Sequence, residues 1–287
     1  MKVLGLGDNV VDRYVNKKIM FPGGNAVNFS VYARECGLES AFLGYLGDDP
    51  EADHIIASLK EEGVDITGCH RILGTTTERC DVNLADGDRV FIADDMRETK
   101  TPPIILSERE TGRLDDFELI HAACYGCVEE ELPKLADLHG LKTFDFSVEE
   151  EFREDSYLQK VCPWIDMALF SCEGMTGEEI LKLQERACEL GCSYVLATMG
   201  TEGQILYDGS RFYKGTVKLV EAVDTMGAGD SFFTAFVCTL LKQGWTKDHM
   251  LTEEMITNAF ALAAEFSAQN CLRDGGFGHP APMVEDV

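Results

Sequence analysis

Positive charge is scarce in this chain of 287 residues: 25 Lys and Arg stand against 51 Asp and Glu, which leaves a formal net charge of −26. A surface of that sign repels phosphates, so nucleic acid and anionic membranes are excluded as expected partners. An anionic metabolite is not excluded, because the N-terminus of a helix binds phosphate whatever the net charge. Long apolar runs are also lacking, which argues against a membrane-spanning helix.

Linkers, low-complexity tracts and internal repeats are lacking as well. Hydrophobic residues make up 45% of the chain, which is enough for a sizeable core, so a disordered or fibrous protein is excluded. We therefore expect a single domain over residues 1–287.

The chain holds 11 cysteines, but their spacing gives only a weak indication of a metal site. Cys124 and Cys127 form a C-x-x-C pair, and Cys188 and Cys192 form a second pair. Neither pair has a further His/Cys pair at zinc spacing nearby, and His121 is an isolated neighbour, so a metal site is the less favoured alternative. The number of cysteines is odd, and Gly and Asp interrupt the apolar start of the chain, which is not typical of a signal peptide. We expect reduced thiols in a cytoplasmic protein.

Short apolar runs alternate with helical patterns along most of the chain. Strand-like runs are found at residues 3–7, 40–47, 118–121, 142–146, 167–170 and 194–197, and helical spacing at residues 25–36, 50–63, 177–190 and 229–241. Strands that alternate with helices of this length predict βαβ units, and therefore an α/β fold with a mainly parallel sheet.

One stretch departs from this alternation. Residues 75–93 consist of two β-type runs on either side of Asp86-Gly87-Asp88, which is a hairpin signal. Together with the run after residue 10, this stretch predicts a small antiparallel flap. We therefore expect a β lid built from about residues 10–22 and 75–95.

The stretch DTMGAGD at residues 224–230 is the most informative for chemistry. Its small residues permit a tight turn with convergent backbone N–H groups, and the following helix adds the positive end of its dipole, which suits an anion. Asp230 could take a proton from an attacking hydroxyl while the amides hold the developing phosphoryl charge. On these residues alone another interpretation stays open, in which Asp224 caps the helix, Asp230 compensates its dipole and the glycines only turn the chain.

Two further glycine turns precede or follow regular elements. FPGGNAVN at residues 21–28 leads into a helix, and Asn25 and Asn28 could hydrogen-bond to hydroxyls. TMGTEG at residues 198–203 follows a strand at its carboxyl end, where open α/β sheets bind ligands. Each turn alone is equally well explained by a helix cap or a plain strand connection.

Taken together and in this order, the three turns resemble the signatures of the ribokinase-like sugar kinases, also called the phosphofructokinase B family. GGNAVNFSVYARECG resembles the first signature and DTMGAGDSFFTAF the second, with Ala235 where glycine is common. LGYLGDDPEADHIIASLKEEGVDI is similar to the segment before the lid, and ATMGTEGQILY to the nucleotide loop. The resemblance runs from Leu4 to about Gly278 and implies a three-layer α/β/α domain with a mainly parallel central sheet and a small β-sheet lid.

The resemblance also implies roles for individual residues. The catalytic groups would be Asp230 as the base, with Gly227, Ala228 and Gly229 as the anion hole around the γ-phosphoryl group. The substrate hydroxyls would meet Asp12, Gly24 and Asn28, and the nucleotide would meet Thr198, Gly200 and Gly203. ATP would be bound with Mg²⁺, and because family members often use a monovalent cation such as K⁺, the carbonyl of Asp224 is a candidate ligand for it.

The chain departs from the family at one magnesium-related motif. Many members carry Asn-x-x-Glu after the strand that corresponds to Met167–Phe170, whereas here Ser171 replaces the Asn and the Glu is out of register. Glu173 is the candidate substitute for the contacts with the waters of Mg²⁺.

Within the family, GLGDNVVDRYVN, DGDRVF, HAACYG and KTFDFS resemble the bacterial fructoselysine 6-kinases, which phosphorylate the 6-hydroxyl of glycated lysine. This implies ATP-dependent phosphoryl transfer to a primary hydroxyl of fructoselysine or a related fructosamine. Such a substrate is cationic, so Asp8, Asp12, Asp94 and Asp95 are candidate partners for its amines or hydroxyls.

Two alternatives stay open: a fructokinase or other sugar or nucleoside kinase of the family, and a non-catalytic sugar-binding protein on the same fold. Because family lids often pair between subunits, a homodimer through the lid is a further expectation.

Overall fold

The computed structural model describes residues 1–85, 88–94 and 100–284, along which strands and helices alternate. The strands are, in chain order, β1 (Lys2–Leu6), β2 (Val10–Tyr14), β3 (Ile19–Gly23), β4 (Glu39–Leu43), β5 (Tyr45–Leu46), β6 (His70–Arg71), β7 (Glu78–Ala85), β8 (Asp88–Asp94), β9 (Leu119–Ala123), β10 (Leu141–Asp145), β11 (Met167–Ser171), β12 (Tyr194–Thr198), β13 (Gln204–Tyr207), β14 (Phe212–Gly215) and β15 (Ala281–Pro282). The α-helices are α1 (Asn25–Glu35), α2 (Pro50–Glu61), α3 (Glu108–Leu114), α4 (Asp155–Val161), α5 (Gly177–Glu189), α6 (Ala228–Lys242) and α7 (Glu253–Asn270).

The larger sheet has the strand order β14-β13-β12-β11-β10-β9-β1-β4. Neighbours from β4 to β12 pair in parallel, and only β13 and β14 run antiparallel at one end. β9 and β10 are buried along their whole length, because their apolar runs are covered on both faces. The prediction of an α/β fold with a mainly parallel sheet is confirmed.

Side chains of alternate residues in the larger sheet pack into two separate apolar layers, one on each face. Leu4 and Phe144 pack on one face with residues of α4 and α5, whereas Val3 and Leu141 pack on the other with residues of α6 and α7. This alternation is the two-residue period of a strand, and it places a helical layer on each side of the sheet. The three-layer α/β/α arrangement is therefore confirmed as well.

One predicted strand proved to be two. Residues 40–47 were expected to form a single strand, but β4 ends at Leu43 and β5 begins at Tyr45. β4 pairs with β1 in the larger sheet, whereas β5 pairs with β6 in a separate two-stranded sheet. Gly44 lies at the point where the chain leaves one sheet for the other.

The smaller sheet has the order β15-β3-β2-β7-β8. β2–β3, β7–β8 and β3–β15 pair antiparallel, so the two segments expected in the lid do form one sheet with a hairpin. The expectation of a purely antiparallel flap is wrong at its centre, where β2 and β7 run parallel. The chain returns to β7 only after passing through α1, β4 and α2, so it enters the sheet in the same direction as β2. Asp86, Gly87 and Asp95 lie outside the described residues, as does the side chain of Asp94.

The functional edge of the fold is where the carboxyl ends of β1, β9, β10, β11 and β12 meet the N-termini of α1 and α6. α1 lies directly on β1: a Cβ added at Gly5 would come 2.2 Å from the carbonyl oxygen of Ala26. The first turns of α1 and α6 are therefore held close to the ends of the central strands. Within the described part of the chain, no helix is long and apolar enough to cross a membrane.

Candidate active site

Asp230 lies in the first turn of α6, and each of its carboxylate oxygens accepts a hydrogen bond from an asparagine of α1. The Nδ2 of Asn28 is 2.7 Å from Oδ2, and the Nδ2 of Asn25 is 3.2 Å from Oδ1. Both asparagines lie in the first turn of α1, so two helix N-termini meet at this carboxylate. Their dipoles favour negative charge here, which suits a carboxylate and an incoming phosphoryl group alike.

The turn before α6 needs glycine at one position. Gly227 is the N-cap of α6 with φ of 71°, and a Cβ there would lie 2.3 Å from Oη of Tyr32. Tyr32 cannot withdraw easily, because it is buried and donates to the carbonyl of Gly276 at 2.6 Å. The next two residues, Ala228 and Gly229, open the helix, and a Cβ at Gly229 would meet nothing within 4 Å. The start of α6 therefore has an open side at Gly229, as an anion site requires, while the N–H of Ala228 donates to the carbonyl of Thr225 at 3.1 Å.

Asp224 is completely buried and has a structural task. Its carboxylate accepts from Oη of Tyr14 at 2.7 Å, from the N–H of Met226 at 2.9 Å and from the N–H of Gly275 at 2.9 Å. These bonds join the smaller sheet, the DTMGAGD turn and the C-terminal segment. The prediction of a monovalent cation concerns the carbonyl oxygen of Asp224 and stays a prediction.

Asp8 lies between β1 and β2 and holds the start of α1. Its oxygens accept from the N–H groups of Asn25 at 2.6 Å and Ala26 at 3.2 Å. Burial raises the pKa of Asp8 to about 6, against the lowering effect of these hydrogen bonds. Gly24 is the N-cap of the same helix, with φ of 105°, next to Asp8. Asp8 and Gly24 thus set the position of the two asparagines.

Asp12 comes from the smaller sheet. It lies in β2 and is 5% exposed, and its Oδ2 would be 2.4 Å from a Cβ added at Gly23, at the end of β3. Its carboxylate therefore lies just ahead of α1, on the side where the smaller sheet meets the site. Direct contact of Asp8, Asp12 and Gly24 with a substrate stays a prediction.

Asp145 is a site residue that the sequence analysis missed. It ends β10 and is 4% exposed, and its Oδ2 accepts from Nδ2 of Asn25 at 2.8 Å while Oδ1 accepts from the N–H of Ser147 at 2.7 Å. Burial, and after it repulsion from Asp230, raise the pKa of Asp145 to about 7. Two signals were available: Asp145 lies within the stretch KTFDFS, and it is a polar residue at the carboxyl end of a central parallel strand, where ligand sites are found.

The predicted nucleotide loop lies further along the same edge. Thr198 ends β12, and Gly200 and Gly203 belong to the turn into β13. Glu173 follows β11 and reaches this turn: a Cβ on Gly200, whose φ is 53°, would lie 2.6 Å from its Oε1. An exposed carboxylate therefore lies beside the turn, and its role as a replacement for the missing family glutamate stays a prediction.

The described residues contain no group of three or more His, Cys, Asp or Glu that could hold a metal ion. The cysteine pairs considered in the sequence analysis do not gather around His121, whose ring packs between Phe29 and Phe233 and bonds to Thr143 at 2.9 Å. None of the eleven cysteines, all of which lie within the described residues, forms a disulfide bond.

The fold is that of the ribokinase-like kinases. It is an α/β/α sandwich in which a glycine caps α6 at the carboxyl edge of the sheet, and Asp230 in the first turn of that helix accepts hydrogen bonds from two asparagines. The structure matches the crystal structure of fructokinase with bound ATP from Xylella fastidiosa with a TM-score of 0.80, over 96% of this chain and 94% of that one. At 20% identity this likeness is one of fold. The chain belongs to the pfkB family of carbohydrate kinases, whose sequence profile matches residues 4–278.

Two curated relatives resemble the chain over nearly its whole length. The fructosamine kinase FrlD of Bacillus subtilis (strain 168) is 33% identical, over 100% of this chain and 96% of its own. The fructoselysine 6-kinase of Escherichia coli (strain K12) is 35% identical, over 92% of this chain and 97% of its own. The family resemblance inferred from the three glycine turns is therefore confirmed.

Proposed function

We propose that this protein transfers the γ-phosphoryl group of ATP to the primary 6-hydroxyl of fructoselysine or a related fructosamine. The observation that carries the proposal is the carboxylate of Asp230, held by Asn25 and Asn28 where two helix N-termini meet. The family and the names of the two full-length relatives support a sugar kinase that acts on glycated amines.

In this reaction Asp230 acts as the general base. It takes the proton of the acceptor hydroxyl as the new bond forms between that oxygen and the γ-phosphorus, and the bond from the γ-phosphorus to the bridging oxygen breaks, releasing ADP. The N–H groups at Gly227 and Gly229 stabilise the charge on the transferring group, joined by that of Ala228 once it leaves the carbonyl of Thr225. Asn28 keeps the base next to the acceptor hydroxyl, and the smaller sheet acts as a lid that excludes water from it.

Thr198, Gly200 and Gly203 line the nucleotide side of the site in this proposal. Mg²⁺ bound to ATP supplies neutralisation of the phosphate charge. Glu173 fits a role in holding its water shell, because the carboxylate is exposed and lies against the turn at Gly200. K⁺ at the carbonyl of Asp224 is a separate proposal, tested by replacing K⁺ with tetramethylammonium in the assay.

The charge of the site supports a cationic acceptor. Asp8, Asp12, Asp145 and Asp230 all lie around the first turn of α1, so an ammonium group would relieve their mutual repulsion. A fructosamine carries such a group, whereas fructose and ribose do not. Eleven cysteines without a disulfide bond among them support a reducing compartment such as the cytoplasm.

We also propose that two copies associate through the smaller sheet. β8 is the last strand of that sheet, and Val90, Phe91 and Ile92 on it are all more than half exposed. An apolar edge strand of this kind pairs readily with another chain.

The function is tested by ATP consumption with Mg²⁺ and K⁺ on fructoselysine, other fructosamines, fructose, ribose and adenosine. We expect turnover on fructoselysine to exceed that on the plain sugars. Higher turnover on fructose or ribose would keep the kinase and refute the fructosamine specificity. No turnover on any acceptor would favour a non-catalytic sugar-binding protein.

Asp230→Asn tests the base. We expect kcat to fall by about 10²–10⁴-fold, because the amide cannot accept the proton, while the fold is kept since Asp230 lies on the site and not in the core. The matched control is Asp53→Asn, an aspartate in the first turn of α2, which should leave kcat unchanged. Thermal unfolding of both variants checks the fold; an unfolded Asp230→Asn protein would contradict the assignment.

A further inference from the structure

We infer that Asp145 is a positioning residue for the base: it acts through the side chain of Asn25, whose amide it orients toward Asp230. The inference rests on the proposed kinase function and adds a residue that neither the glycine turns nor the DTMGAGD stretch contains.

The side-chain amide of Asn25 donates two hydrogen bonds. Its Nδ2 carries two N–H groups, and the structure uses one on Asp145 at 2.8 Å and the other on Asp230 at 3.2 Å. Two carboxylates therefore face the nitrogen end of this amide. The flipped amide would direct its oxygen at both carboxylates, so the pair selects one orientation.

Removal of Asp145 changes how the carboxylate of Asp230 is held. Asn28 still holds Oδ2 of Asp230 at 2.7 Å, but the amide of Asn25 loses the stronger of its two partners. The Asn25 side chain can then rotate, and Oδ1 of the base loses a fixed donor. A base that is held at only one oxygen samples orientations that do not reach the acceptor hydroxyl, so fewer encounters are productive.

Asp145 is itself held in place by the turn that follows β10. Its other oxygen accepts from the N–H of Ser147, a non-glycine residue with φ of 56°. That conformation is disfavoured for an L-residue, and such outliers concentrate at functional sites. Oγ of Ser147 is in turn 2.9 Å from Oη of Tyr125, so the turn after β10 is tied to the turn after β9.

The charges around Asp145 are not those that stabilise a buried carboxylate. Asp145 is buried, and the charged groups that face it, Asp8 and Asp230, have the same sign. A carboxylate in such a place costs stability unless it is paired with a cation, and no cation is among its interactions in the described part of the chain. A neutral residue would serve the fold better, so the carboxylate is explained by what it does to Asn25.

The test is a double-mutant cycle of Asp145→Ala and Asn25→Ala, with kcat and KM measured on the acceptor that the wild type turns over best. We expect Asp145→Ala to lower kcat by about 10–100-fold with the KM for ATP unchanged, because Asp145 ends β10 whereas the proposed nucleotide turn follows β12. Since both residues act through one amide, the double variant should be no slower than Asn25→Ala alone. Asp145→Asn, which keeps one acceptor oxygen, should recover part of the loss.

Asp166→Ala is the matched control. Asp166 also accepts a backbone N–H, that of Lys142 at 2.7 Å, but at the opposite end of β10. The kcat of Asp166→Ala should stay within about twofold of wild type, which separates loss of a half-buried acceptor of a backbone N–H from loss of the Asn25 contact.

Additive losses in the cycle, or unchanged kcat in Asp145→Ala, would overturn the inference while leaving the kinase function intact. A wild type without turnover would instead refute the proposed function. In that case a crystal structure of Asp145→Ala decides the inference alone: rotation of the Asn25 amide away from Asp230 supports it, and an unmoved amide refutes it. Asp145→Asn serves for this measurement if the alanine variant does not fold.

Discussion

The carboxylates around α1 make the stability of the protein depend on pH. Asp145 has its pKa raised to about 7 and Asp8 to about 6, chiefly by burial, whereas an aspartate in the unfolded chain titrates near 3.8. A raised native pKa means that the folded state binds the proton more tightly. The contribution of each group to stability is therefore full below the unfolded pKa and is lost as pH rises through the folded value.

Asp145→Asn should remove part of this dependence. Between pH 5 and pH 8 the ionisation of Asp145 lowers the free energy of unfolding of the wild type by about 2 kcal/mol, which corresponds to several degrees in Tm. The neutral amide of Asn does not ionise, so the variant does not lose this stability. We expect the fall in Tm over this range to be smaller in Asp145→Asn than in wild type, measured by calorimetry in matched buffers. Identical curves for Asp145→Asn and wild type would show that Asp145 is already ionised throughout.

This cost and the inferred role of Asp145 belong together. A buried carboxylate between two others destabilises the fold, and natural sites accept such a cost where a charge is needed for function. The same variant is therefore expected to gain thermal stability near neutral pH and to lose turnover. A variant that changed both properties in the same direction would not fit this explanation.

At the scale of the element, the start of α6 is the most constrained backbone of the site. Gly227→Ala places a Cβ 2.3 Å from Oη of Tyr32 and 3.3 Å from Cα of Gly276, at a φ of 71° that alanine disfavours. We expect kcat to fall by about 10²-fold or more, because the first turn of α6 carries Asp230 and the N–H groups of the anion site. Tm should fall as well, since the strain costs about 1–2 kcal/mol.

A second variant identifies the cause. Gly227→Ala combined with Tyr32→Phe removes the clashing hydroxyl but not the positive φ, so it should recover part of the activity. Gly229→Ala, where nothing lies within 4 Å and φ is not positive, is the stability control and should keep or raise Tm. Equal Tm losses in the two glycine variants would contradict the steric argument.

Elements whose pattern is local could be predicted from the sequence. α1 and α6 have helical periodicity after glycine turns, and their bounds agree within a residue or two with those expected. Pairing between distant segments could not be predicted in this way: β5 with β6, β2 with β7 in parallel, and β15 with β3 depend on where the chain returns. Asp145 was missed for the same reason, because its contact with Asn25 joins residues 120 positions apart.

At the scale of the whole molecule, the net charge of −26 has two consequences that oppose each other. It keeps copies apart in solution, and it favours a cationic substrate over an anionic one. An association between copies must therefore come from an apolar contact that outweighs the repulsion. Added salt should strengthen such an association, because it screens the like charges and leaves apolar contacts intact.

The edge strand β8 is where that contact is expected. Ile92→Lys puts a charge on a strand with three consecutive exposed apolar residues, Val90, Phe91 and Ile92, at the end of the smaller sheet. We expect the dimer dissociation constant, measured by analytical ultracentrifugation, to rise by at least about tenfold, which corresponds to about 1.4 kcal/mol. Leu73→Lys changes an even more exposed side chain, 81% accessible and outside β8, and should leave the constant unchanged. A dimer that survives Ile92→Lys would place the interface elsewhere, and a wild type that stays monomeric at high salt would refute the association.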